Sequence, residues 1–136
     1  MGKLILEVVT PARRVVKEEV DMVVAPGTEG MFGVLPGHML FLSGIVPGEL
    51  SYNSGSERTY LAVTNGFAEI SNDRVSILVD AAEKAADIDV ERARRAMQRA
   101  KERLSKERGT EEIDFKRAEA ALQRAMARIK VAEKAA

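Results

Sequence analysis

The 136 residues include no cysteine, no tryptophan and a single histidine, His38. Without cysteine there is no disulfide framework, no thiolate nucleophile and no cysteine-based metal site, and one histidine excludes a multi-histidine cage. An excess of either charge is also lacking, because 21 Lys plus Arg balance 21 Asp plus Glu. That balance does not suggest wholesale coating of nucleic acid. No apolar run approaches the ~18 residues of a membrane-spanning helix. The N-terminus has no basic leader followed by an apolar core, so the chain reads as soluble and leaderless.

Proline and glycine are missing from one part of the chain only. All four prolines and nine of the ten glycines precede residue 67. Charge divides in the same way: residues 1–86 carry 7 basic and 11 acidic side chains, a net −4, and residues 87–136 carry 14 and 10, a net +4. The two parts are different objects, and the length leaves room for two small units and no more.

In the first part, short runs rich in Val, Ile, Leu, Thr and Tyr read as strands: 4–10, 13–17, 20–25, 57–63, 67–70 and 74–80. Each is closed by turn chemistry such as Pro26-Gly27, Pro36-Gly37, Pro47-Gly48, Asn65-Gly66 or Ser71-Asn72-Asp73, and residues 52–58 read as a hairpin end. Many short strands at close spacing predict an all-β sandwich or barrel. After Asp80 the composition turns to Ala, Arg, Glu and Lys, which favours long helices. Gly109-Thr110 is the one break, so an antiparallel helical hairpin is expected, with helices over about 87–108 and 111–132. Asp87 is the expected cap of the first helix, and Thr110 with Glu111 and Glu112 opens the second. Ile88, Ala93, Ala96, Met97, Ala100 and Leu104 form one apolar stripe, and Phe115, Ala118, Leu122, Ala125, Ile129 and Ala132 the other. Such a seam is mostly alanine, and a buried methyl contributes only ~0.8 kcal/mol. The hairpin should therefore be weakly held and able to open.

Chemistry-bearing motifs are few. Gly27-x-x-Gly30-x-x-Gly33 lacks the Gly-Lys-Ser/Thr and helix start of a phosphate loop, and reads as a loop needing positive φ at several points. His38 has no Ser, Cys or second His in a motif with it, and Glu18-Glu19 and Glu111-Glu112 are explained by solvation and helix capping. No catalytic constellation emerges. The tail arginines are more informative. Arg92 and Arg99 lie seven apart on one side of the first helix, and Arg124 and Arg128 four apart on the second. A turn at 109–110 brings all four to the same level of the hairpin. Two explanations stand on spacing alone: a solvated face laced by Glu91, Glu102 and Glu119, or a polyphosphate ligand suited to guanidinium forks.

The run Pro26-Gly27-x-x-Gly30-x-x-Gly33-Val34-Leu35-Pro36-Gly37-His38, then Ser43, Pro47-Gly48-x-Leu50 and Asn65-Gly66-Phe67-Ala68-Glu69-Ile70, resembles the epsilon subunits of bacterial F-type ATP synthases. The resemblance extends over the whole length. Two departures are mild: Asn65 stands where the family usually has a second glycine, and bulky Met39 and Leu40 follow the histidine. The resemblance implies an α+β two-domain protein, with a ten-stranded β-sandwich over 1–85 and a helix-turn-helix domain over 86–136. It implies a non-catalytic rotor subunit of the proton-translocating enzyme. The β domain would bind the gamma subunit and the c-ring. The tail would either fold down or extend along gamma to the beta and alpha subunits and restrain ATP hydrolysis, with Arg103, Arg108, Lys116 and Arg117 contributing to its basic surface. Location would be peripheral, at the cytoplasmic face of the bacterial plasma membrane, with membrane contact only through the complex.

The resemblance also offers ATP as a regulatory ligand. Ile88-Asp89-Val90-Glu91-Arg92-Ala93 matches the element through which some members bind ATP, and Glu83, Arg99, Arg124 and Arg128 stand at the companion positions. The arginines would hold phosphates, Glu83 and Asp89 would offer acceptors to adenine, ribose or arginine, and Ile88 and Ala93 would leave an apolar shelf. Neither a catalytic cofactor nor a metal is implied. The rival is a β domain with a basic helical arm for nucleic acid. Against it, the strands show no RNA-reading aromatics, and the arm carries 10 acids among its 14 bases.

Overall fold

Alternation sets the first strand. In β1 (Leu4–Val9), Leu4, Leu6 and Val8 are buried while Ile5, Glu7 and Val9 are half-exposed, the period of a strand with one face on a core. The computed structural model describes residues 2–37, 40–106 and 112–135. Nine further strands follow: β2 (Arg14–Val20), β3 (Met22–Gly27), β4 (Gly30–Val34), β5 (Phe41–Ile45), β6 (Gly48–Ser54), β7 (Glu57–Val63), β8 (Gly66–Ser71), β9 (Arg74–Val79) and β10 (Ala82–Lys84). They run in the order β10-β7-β6-β3-β5-β8-β9-β1-β2, with β4 paired to β3. All described pairings are antiparallel except β1 with β9. The sheet wraps around one core in which Leu4, Leu6, Leu50, Leu61, Ile70 and Ile77 are fully buried. An all-β unit is therefore present, as the turn spacing implied, with the ten-stranded sandwich that the resemblance implied.

The glycine-rich stretch is a hairpin, not a loop of left-handed residues. Gly27 and Gly33 lie in β3 and β4, and of Gly27, Gly30 and Gly33 only Gly30 has positive φ, at 116°. The other two glycines are required by proximity: a Cβ on Gly27 would lie 2.8 Å from the Phe32 ring, and one on Gly33 3.0 Å from the Met22 methyl. Side-chain anchors tie the remaining turns. Asp21, between β2 and β3, accepts from Lys3 Nζ at 2.6 Å and from the Gly55 N–H at 2.8 Å, and these bonds hold its carboxyl below the usual carboxylate range. Asp73, in the left-handed Asn72-Asp73 turn of the β8–β9 hairpin, accepts the Gly37 N–H at 2.7 Å. His38 itself lies outside the described residues.

After β10 the chain makes a 3-10 turn at Ala85–Asp87, then α1 (Val90–Lys106), α2 (Glu112–Ala132) and a closing 3-10 turn at Glu133–Ala135. The first cap is not Asp87. Asp89 Oδ1 accepts the Arg92 N–H at 3.1 Å, satisfying one of the orphan donors of the helix start, whereas Asp87 is taken up by the 3-10 turn. The Gly109-Thr110 break and the Thr110-Glu111 cap fall outside the described residues. The hairpin seam is of small side chains: Ala93, Ala100, Ala118 and Ala125 are buried. Met97, Leu104, Leu122 and Ile129 are half-buried, and Phe115 is exposed. At ~0.8 kcal/mol per methyl, the four alanines contribute only about 3 kcal/mol. Among the described residues no helix is long and apolar enough to cross a membrane.

The tail docks through the end of α2. Val131, wholly buried, packs with Ile88 and Ala62, and Tyr60, Ala85 and Ala132 close the cluster. Lys134 Nζ lies 5.1 Å from the Tyr60 ring centroid and 3.9 Å from Glu49 Oε1.

Gly66 sets the register of β8 against β9, since a Cβ there would lie 1.9 Å from the Leu78 carbonyl oxygen. A backbone atom cannot swing away as a side chain can. Gly66→Ala is expected to destabilise the β domain by about 3 kcal/mol or more, measured as a shift of the urea midpoint followed by far-UV circular dichroism.

Candidate functional site

An open pocket of about 600 Å³ lies between the helical hairpin and the β10–β7 edge of the sheet. Helix α1 contributes Arg92, Arg99 and Arg103, α2 contributes Arg124 and Arg128, and the β domain contributes Glu83, Thr64 and Ala81. The floor is alanine: Ala96, Ala100, Ala118, Ala121 and Ala125. These positions share one helical side because they are spaced by three, four or seven residues. Five guanidinium groups against one carboxylate leave the lining at a formal +4.

Only one of the five arginines is neutralised within the described residues. Arg128 donates to Glu83 through Nε at 2.7 Å and through a terminal nitrogen at 3.3 Å, a two-pronged pair joining α2 to β10. Arg92, Arg99, Arg103 and Arg124 make no side-chain ion pair or hydrogen bond with the described residues. Of the three carboxylates expected to lace this face, Glu91 pairs with Arg94, Glu102 accepts from Gln98, and Glu119 does not line the pocket.

The structure thus brings together Glu83, Arg92, Arg99, Arg124 and Arg128. It does not bring Ile88, Asp89 or Ala93 to the lining. Ile88 is packed under Val131, Asp89 caps α1, and Ala93 is fully buried. Arg103 was legible only as part of a basic tail, although its spacing of four from Arg99 puts it on the pocket side. Among the described residues no group of three or more His, Cys, Asp or Glu could hold a metal ion.

A second surface is apolar. Leu42, Phe67 and Leu78 stand 67%, 70% and 54% exposed on β5, β8 and β9, around a shallow depression of about 510 Å³ that includes Ser43, Ala68 and Ser76. These strands carry apolar residues on both faces, a pattern the sequence reading did not use for 67–70 and 74–80 and could not use for 41–45, which it did not read as a strand.

Residues 3–85 match the family described as ATP synthase, Delta/Epsilon chain, beta-sandwich domain, and residues 86–133 match its long alpha-helix domain. The chain belongs to the ATP synthase delta/epsilon family. It is 52% identical over 132 residues to an ATP synthase epsilon chain of Syntrophobacter fumaroxidans, covering 97% of each. It is 51% identical over 105 residues to that of Thermodesulfovibrio yellowstonii, covering 77% of this chain and 75% of the relative. A chain in the mitochondrial ATP synthase of Euglena gracilis has the same fold (TM-score 0.82, 24% identity, 98% of this chain and 82% of that one). One from the Tetrahymena thermophila ATP synthase central stalk and c-ring is more distant (TM-score 0.59, 14% identity, 99% and 98%). In this family member the pocket lies where its two domains meet, so the Glu83–Arg128 pair is both pocket wall and domain tie. Glu83→Ala is expected to weaken the tie by about 1 kcal/mol. Hydrogen exchange at the amides of residues 128–132 should accelerate about fivefold while β1 and β9 are unchanged.

Proposed function

We propose that this chain is a non-catalytic rotor subunit of the proton-translocating ATP synthase, coupling the c-ring to gamma and restraining ATP hydrolysis through its helical tail. The observation that carries the reading is the +4 pocket at the domain boundary of an ATP synthase family member. In this reading ATP enters the pocket, its phosphates neutralise Arg92, Arg99, Arg124 and Arg128, and the tail is held down on the β domain. Without ATP, the repelling guanidiniums and the thin alanine seam release it. The freed tail, net +4 over residues 87–136, then docks on acidic surface of the beta and alpha subunits. Residues 1–85 act as an independent unit, and the complex lies at the cytoplasmic face of the bacterial plasma membrane.

The exposed Leu42–Phe67–Leu78 surface supports the gamma contact. A monomer seldom leaves so much contiguous apolar side chain uncovered without a partner, and aromatic anchors dominate interfaces. The nucleic-acid reading has no comparable support, since both parts of the chain match ATP synthase delta/epsilon domains and the helical arm carries 10 acids among its 14 bases.

Two outcomes follow. Phe67→Asp should abolish copurification with gamma while leaving the far-UV spectrum unchanged, since the ring is 70% exposed. Removing residues 87–136 should preserve assembly and raise ATP hydrolysis of the reconstituted complex at low ATP. Equal hydrolysis rates with and without the tail would remove the restraining role.

A further inference from the structure

The contacts that hold the tail fall on one row of the sheet. Ala62 of β7 stands directly opposite Glu49 of β6 on one side and Glu83 of β10 on the other. Side chains paired across strands in this way share a face, so the row reads carboxylate, methyl, carboxylate. The tail meets it with residues three positions apart. Arg128 donates to Glu83, Val131 is buried in one cluster with Ala62, and Lys134 Nζ lies 3.9 Å from Glu49 Oε1. Cation, apolar side chain and cation thus answer the row in order.

The spacings of tail and sheet agree. Three residues of α-helix rise ~4.5 Å and neighbouring strands lie ~4.8 Å apart, so a helix crossing the strands advances one strand for every three residues. The 3-10 turn at Glu133–Ala135 tightens the chain toward three residues per turn, which swings Lys134 toward the side that Val131 occupies. Glu49 Oε1 is buried and has no hydrogen bond among the described residues. A carboxylate oxygen withdrawn from water is costly unless a cation is near, and Lys134 supplies that cation while lying over the Tyr60 ring. Sliding the tail by one strand in either direction would set Val131 against a carboxylate. We infer that the Glu83–Ala62–Glu49 row is a docking track that fixes one register of the tail, and that Lys134 on Glu49 is a ligand-independent latch opposing its release. Neither Lys134 nor Glu49 lines the arginine pocket, so the latch acts apart from any anion bound there.

Hydrogen exchange of the full chain, free of nucleotide, tests this at the amides of residues 128–132. Lys134→Glu sets two carboxylates face to face and should accelerate their exchange about fivefold, with β1 and β9 unchanged. Glu49→Lys sets two ammonium groups together and should act alike. Joining the two substitutions rebuilds the pair with its charges exchanged, and the rates should return to within about twofold of the parent chain. That restoration would also show that each single variant loses the latch and not its fold. Lys134→Glu exchanging at the parent rate would overturn the latch. So would a double variant as fast as the single ones, because a contact that matters only for packing is not rebuilt by exchanging charges.

Discussion

Like charges gathered over a weak seam govern this molecule. Five arginines line one pocket and a single carboxylate answers them. In the seam beneath, the four buried alanines Ala93, Ala100, Ala118 and Ala125 contribute only about 3 kcal/mol. In the proposed reading, closure of the tail is therefore sensitive to an anion that enters. A seam of leucines would hold the hairpin regardless of ligand; an alanine seam lets a few charge-assisted contacts decide the arrangement.

The β domain is the rigid mount for that device. Its core sets where β10 lies, β10 holds Glu83, and Glu83 sets Arg128. The second attachment, Val131 with Ile88 and Ala62, is small and is made by residues near the end of α2. Lys134 reinforces it over the Tyr60 ring, with Arg58 5.5 Å from the ring centroid as well. The docking contacts thus gather around the last turns of α2. In the proposed reading, an anion in the pocket would act on the same turns through Arg128, which is paired with Glu83.

Much of this was legible from periodicity. Residues 4–9 and 74–79 are short runs rich in Val, Ile and Leu bounded by turn signals, and the proline-free, alanine-rich tail can hardly be anything but helical. The β4 and β5 strands were not, because Gly30, Gly33 and Gly44 carry the look of a loop. Two of these glycines are there because a neighbour needs the space, Met22 beside Gly33 and Thr28 beside Gly44. Such proximity is a tertiary fact that no local pattern encodes. For the pocket, helical spacing alone grouped Arg92, Arg99, Arg124 and Arg128. It could not assign Asp87 and Asp89, two carboxylates in adjacent turns, because which one caps depends on the 3-10 turn that β10 imposes at 85–87. Val131 was missed for a related reason: it faces the β domain, away from the helix–helix stripe.

The central claim is that anion occupancy of the arginine pocket holds the tail against the β domain. Because the chain has no cysteine, spin labels can be placed uniquely at cysteines introduced for Glu57 and Met126, both exposed. Pulsed dipolar spectroscopy then reads the distance between β7 and α2. Millimolar ATP should collapse a broad distribution to one narrow, short distance, and Arg128→Ala should abolish that collapse. Identical distributions with and without ATP, in a chain that binds ATP by calorimetry, would contradict the account.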